Sequence, residues 1–113
     1  MRSLLRLLIL FQLLLLFNIQ IVMAEDIDLS AGEQIFSQNC IGCHAGGNNV
    51  ISTTKTLKQD ALDENKINTV EAITRQVTNG NPAGMPAFGE RLSEEDIKNV
   101  ASYVLNQAKI GWD

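Results

Sequence analysis

The chain is expected to fold as an all-α protein with four to five short helices in one small domain. Three observations lead there. Apolar residues recur at helical spacing in two separate segments. Helix-capping residues stand just ahead of those segments. No stretch alternates apolar and polar residues with the period of two that a strand needs.

The elements follow in chain order. Arg2 and Arg6 form a basic start, and residues 7–17 are apolar apart from Gln12. The segment turns polar at Asn18 and Gln20 and ends in Val22-Met23-Ala24. This is the pattern of a secretory signal, with cleavage expected after Ala24. The rival is an uncleaved anchor, but a bilayer span needs about 20 apolar residues, and the clean run here is roughly half that. The domain proper is then residues 25–113.

Ser30-Ala31-Gly32-Glu33 reads as a capping box that opens a helix carrying Ile35 and Phe36. Residues 56–64 allow a short, loosely patterned helix. Asn68-Thr69-Val70-Glu71 resembles a second cap, with Val70, Ile73 and Val77 on one face behind it and Gly80 as the stop. Ser93 precedes Glu94, Glu95 and Asp96, whose charges suit a helix N-terminus. Ile97, Val100, Ala101, Val104 and Leu105 then line a single face of the last helix. Residues 45–49 and 80–89 read as loops.

Charge and size narrow the function. All 13 acidic residues, but only seven of the nine basic ones, lie in residues 25–113, a net charge of −6. That argues against nucleic acid and anionic lipid surfaces as partners and allows a partner with a basic docking patch. A chain this short is marginal on its own core. Past residue 24 its aromatic residues are Phe36, Phe88, Tyr103 and Trp112. Such a domain often takes a staple or a cofactor as part of its core.

The two cysteines and the lone histidine stand together as Cys40-Ile41-Gly42-Cys43-His44. This C-x-x-C-H spacing is the attachment pattern of haem c. Two thiols on one turn can each form a thioether with a haem vinyl group, and the next residue offers its imidazole to the iron. The rivals are a Cys40–Cys43 disulfide, a thioredoxin-type dithiol and a structural zinc site. A thioredoxin-type site wants a βαβ setting, and zinc wants four ligands where three exist.

A second axial ligand is found by elimination. There is no other histidine, and Met85 is the one methionine beyond residue 24. It sits between Gly84 and Pro86 rather than on a periodic apolar face, which argues against a plain core role. Pro86 would stiffen the backbone beside the thioether. His44 and Met85 are therefore the expected axial pair, against an open or lysine-bound sixth position.

Beyond these residues the chain resembles the cytochrome c6 family over essentially all of residues 25–113. The resemblance rests on the stretch from Cys40 through Ala45-Gly46-Gly47-Asn48-Asn49-Val50, on Lys55-Thr56-Leu57-Lys58, on Gln76-Val77-Thr78-Asn79-Gly80, on Met85-Pro86-Ala87-Phe88-Gly89 and on Trp112. It implies a class I cytochrome c fold wrapped around one covalent haem c. In that fold Gly32 and Phe36 on the first helix face Val100 and Tyr103 on the last. It also implies a carrier rather than an enzyme, taking electrons from the cytochrome bf complex and passing them to photosystem I. The compartment would be the thylakoid lumen of a chloroplast or cyanobacterium. A monomer with no membrane insertion after cleavage is expected. Arg91 matches a family arginine near the docking face. The alternatives are a periplasmic respiratory cytochrome feeding an oxidase, and an open-site haem enzyme or sensor. Two positions depart from the family pattern. The loop before Met85 is one residue longer, and Glu90 replaces the usual glycine before Arg91.

Overall fold

The computed structural model describes residues 1–18 and 26–112. Helix α1 spans Arg2–Asn18. The cleavage point expected after Ala24 lies outside the described residues. Among the described residues no helix is long and apolar enough to cross a membrane.

Residues 26–112 are helical, and the described residues contain no strand. The elements are α2 (Leu29–Asn39), α3 (Ile41–His44), a 3₁₀ turn (Ala45–Gly47), α4 (Gln59–Glu64), α5 (Val70–Asn79) and α6 (Glu94–Ile110). Five α-helices in this domain agree with the expected four to five. The region expected as a loop after His44 starts with the 3₁₀ turn, which Gly46 permits by taking φ 65°.

Three helix starts are set by side-chain caps. Thr69 accepts from the Ala72 amide and Ser93 from the Asp96 amide, both as expected. The first cap differs from expectation. Asp28, not Ser30, caps α2, its Oδ1 accepting from the Ala31 amide at 3.0 Å. The reason is tertiary. The Asp28 amide donates to Asn99 Oδ1 on α6 at 3.1 Å, so the chain is tied down one step earlier and the helix starts at Leu29. The short helix expected over 56–64 is confined to Gln59–Glu64, because Thr56 Oγ1 accepts from the Lys58 amide and holds that stretch in a turn.

The largest helix–helix contact is α2 against α6, followed by α5 against α6. Gly32 sets the first. A Cβ there would collide with the Asn99 carbonyl and lie 2.8 Å from Tyr103 Cβ. The two backbones therefore touch where α2 has no side chain. Phe36, one turn on, packs on Tyr103 with ring centroids 5.5 Å apart. This is the crossing that the resemblance implied. On α6, Ile97, Val100, Ala101 and Val104 are buried as their spacing predicted, with Val100 1% exposed, while Leu105, expected on the same face, lies at its edge and is only partly buried. Ile73 and Val77 of α5 and Phe88 complete the cluster.

Because no space exists at the crossing, Gly32→Ala should lower stability by about 2 kcal/mol, the usual scale of overpacking. The check is a guanidinium titration of the holoprotein. An unchanged midpoint would mean that the helices can separate without cost.

Candidate functional site

A cavity of about 390 Å³ opens between α2, α5, α6 and the loops that join them. Its walls are largely apolar, formed by Phe36, Leu57, Leu62, Ile67, Ile73, Val77, Val100 and Val104. Cys40, His44 and Met85 also line it. Residues 41 positions apart in sequence thus face one space, His44 from the end of α3 and Met85 from the loop after α5.

The local geometry follows from the sequence. The Cys40 amide donates to Phe36 O and so ends α2, while the His44 amide donates to Cys40 O and closes the single turn of α3. Cys40 lies half-buried against the cavity. Cys43 lies on the same turn and is exposed. Burial pushes the free Cys40 thiol up to about 11, so this position favours a neutral sulfur. A thioether is neutral at every pH and meets that condition. The Asn48 carbonyl stands 2.8 Å from His44 Nδ1. With Nδ1–H donating to that oxygen, the Nε2 lone pair is left for a metal.

Met85 is held by its surroundings. Gly80 takes φ 62° and ends α5. A Cβ on Gly80 would strike the Met85 carbonyl, so the chain doubles back over this glycine. Gln76 Nε2 donates to Gly80 O at 3.1 Å and approaches Met85 Sδ at 3.8 Å. The Phe88 amide then donates to Val77 O and anchors the far end of the loop.

A second loop forms the facing wall. Asn49 Oδ1 accepts from the amides of Ile51 and Ser52, and its Nδ2 donates to Lys55 O at 2.9 Å. Trp112 locks the base of this wall. Its Nε1 donates to Leu57 O at 2.9 Å, and its ring packs on Phe36 at 5.3 Å. Gly47 leaves room for the indole, since a Cβ there would enter the ring.

Haem c fits this arrangement. The donor set is an imidazole and a thioether across one apolar space, with a thiol in its wall. The structure brings Cys40, His44 and Met85 together, and Cys43 follows on the same turn. Arg91 does not line the cavity. It is exposed, with its guanidinium carbon 5.8 Å from the Phe88 ring centroid. Sequence reasoning overlooked Asn49, Gln76 and Asn81, all of which line the cavity. A usable signal existed for Gln76, which stands one turn before Gly80 and next to the buried Val77. Asn49 also carried one, since an asparagine two and three residues ahead of a polar turn commonly closes it.

Comparison with known proteins gives the family and the fold. Residues 28–104 match the family model described as cytochrome c oxidase, cbb3-type, subunit III. The chain is 63% identical over 95 residues to a cytochrome c6 of Gracilaria tenuistipitata var. liui, covering 84% of this chain and 85% of the relative. It is 60% identical over 102 residues to the cytochrome c6 of Cyanidioschyzon merolae, covering 90% and 94%. The solved cytochrome c6 of the diatom Phaeodactylum tricornutum superposes with a TM-score of 0.72 at 55% identity, covering 75% of this chain and 99% of that one.

The wall built by Asn49 is open to a direct check. Asn49→Ala removes three hydrogen bonds and should cost about 2 kcal/mol. Amide exchange at Ile51 and Ser52 in the holoprotein should then accelerate about tenfold or more. Unchanged exchange at both amides would show that the loop is held by something other than this side chain.

Proposed function

This chain belongs to the cytochrome c6 family and carries one covalently bound haem c, and on that premise we propose that it carries single electrons from the cytochrome bf complex to photosystem I in the thylakoid lumen. The observation that carries the reading is the meeting of His44 and Met85 across one apolar cavity. When bound, haem c supplies a one-electron ferrous–ferric couple.

The chain's own residues do the rest. Cys40 and Cys43 hold the cofactor through two thioether bonds. His44 ligates iron through Nε2, oriented by the bond from Nδ1–H to Asn48 O. Met85, lining the same cavity, would supply the second ligand. Its neutral thioether favours the ferrous state and raises the potential. The apolar walls act in the same direction, since they disfavour the extra positive charge of the ferric form. Gln76, by donating towards Met85 Sδ, draws electron density from the sulfur. His44 and Met85 would together occupy both axial positions of a bound haem and leave none for a substrate, which supports a carrier rather than an enzyme.

Charge supports short encounters. Cleavage after Ala24 would release residues 25–113, with a net charge of −6. Such a surface sets encounter rate and salt dependence more than affinity. Arg91 is the docking contact in this reading, exposed and held over Phe88, with Glu90 moderating its charge. The domain acts as a monomer. The matching family model is that of an oxidase subunit, which favours one second reading, a periplasmic respiratory carrier that feeds an oxidase.

Two experiments decide between these. Met85→Ala should lower the midpoint potential by on the order of 0.1 V or more, and ferric protein should lose the charge-transfer absorption of sulfur-ligated haem. Retention of both properties would remove Met85 from the iron. Flash photolysis should show the purified holoprotein reducing photo-oxidised photosystem I, with a rate that changes with ionic strength. Failure to do so, with competent reduction of a terminal oxidase, would establish the respiratory reading instead.

A further inference from the structure

Between Gly80 and Met85 the chain has four residues, Asn81-Pro82-Ala83-Gly84. A flexible loop has many conformations, and so holds its last residue less firmly unless something closes it. Here the closure comes from Asn81. Its amide donates to Met85 O at 3.0 Å. Its side-chain Oδ1 accepts from the Ala83 amide at 3.0 Å and from the Met85 amide at 3.3 Å. Asn81 therefore grips both backbone polar groups of Met85, the carbonyl with its own amide and the amide with its side chain.

The rest of the loop gives Met85 little other support. Residues 81–84 are all exposed. The Gly84 amide reaches Asn81 O at 3.4 Å. Gly84 takes φ 136°, which glycine alone adopts without strain, and meets Ile51 of the facing wall. Pro82 has no amide to donate. Gln76 holds the base of the loop at Gly80 O, and the side-chain carbonyl of Asn81 is the side-chain atom that accepts directly from the Met85 amide.

We propose that Asn81 is the positioning residue of the axial methionine, using its side-chain carbonyl to hold the loop closed and so keep the Met85 sulfur on the iron in the ferric state. The proposal rests on Met85 being the axial ligand. Ferric iron binds thioether sulfur less strongly than ferrous iron does, so the ferric protein is where weaker positioning becomes visible. A loop that opens exposes the sixth position to any competing ligand.

Imidazole is the probe. It is titrated into the ferric holoprotein and followed by the loss of the sulfur-to-iron absorption. Asn81→Ala should bind imidazole about tenfold or more tightly than wild type, the consequence of losing two hydrogen bonds to the loop. Asn81→Asp keeps an acceptor at the same place and should return the affinity to within about threefold of wild type, a partial penalty for its altered charge. Thr69→Ala weakens the cap of α5 and costs similar stability, but should leave imidazole affinity as in wild type.

Wild-type affinity in Asn81→Ala, or an equal rise in Thr69→Ala, would overturn the proposal. A wild-type protein with no sulfur-to-iron absorption would overturn it as well, by removing the axial role of Met85 itself. The untouched protein distinguishes that failure from the first two. Should Asn81→Ala fold poorly, amide exchange in wild-type holoprotein serves instead. Slow exchange at Ala83 and Met85 supports the closure, and exchange as fast as in an open chain refutes it.

Discussion

The contact of α2 with α6 at Gly32 governs where everything else can stand. A backbone-to-backbone approach leaves no room for a side chain, so Gly32 faces the Asn99 carbonyl and Tyr103 Cβ directly. That approach brings Phe36 onto Tyr103 and Trp112. It also lets the Asp28 amide reach Asn99 Oδ1. Since α2 runs into the Cys40 turn, the crossing fixes the position of the attachment residues against α6. With few large side chains available, the domain uses close packing of small ones and leaves an apolar hollow beside it.

That hollow explains why the sequence joins its cofactor covalently. A domain with so limited a core gains from a large apolar group at its centre. Two thioether bonds keep the group in place in both redox states. Burial of Cys40 would oppose a thiolate there. Apolar surroundings of this kind disfavour the extra positive charge of a ferric iron.

The polar part of the site is arranged in two loops, each closed by an asparagine. Asn49 organises the wall on the side of residues 50–55, and Asn81 the one that carries Met85. Gly84 and Ile51 bring these walls into contact. Neither loop has regular secondary structure, so side-chain bonds to backbone replace a ladder. Side-chain closure of this kind fixes a ligand's direction without a helix or strand behind it.

Much of the fold was legible in the sequence because its signals are local. Thr69 and Ser93 cap their helices, Gly80 stops α5, and the face from Ile97 to Val104 is buried as its period requires. The C-x-x-C-H run likewise needs only one turn of chain to define its chemistry. The cap of α2 was misread because Asp28 and Ser30 are both good caps, and only Asn99, 71 positions away, selects between them. Asn49 and Gln76 left local signals that were passed over, whereas the role of Asn81 depends on which backbone groups its loop presents after folding. The sequence by itself determined the helices, the charge and the residues able to attach haem, all properties of short segments. Only the tertiary structure decided which cap is used, how His44 and Met85 come to face one space, and what holds the loop between them, because those depend on contacts between segments far apart in the chain.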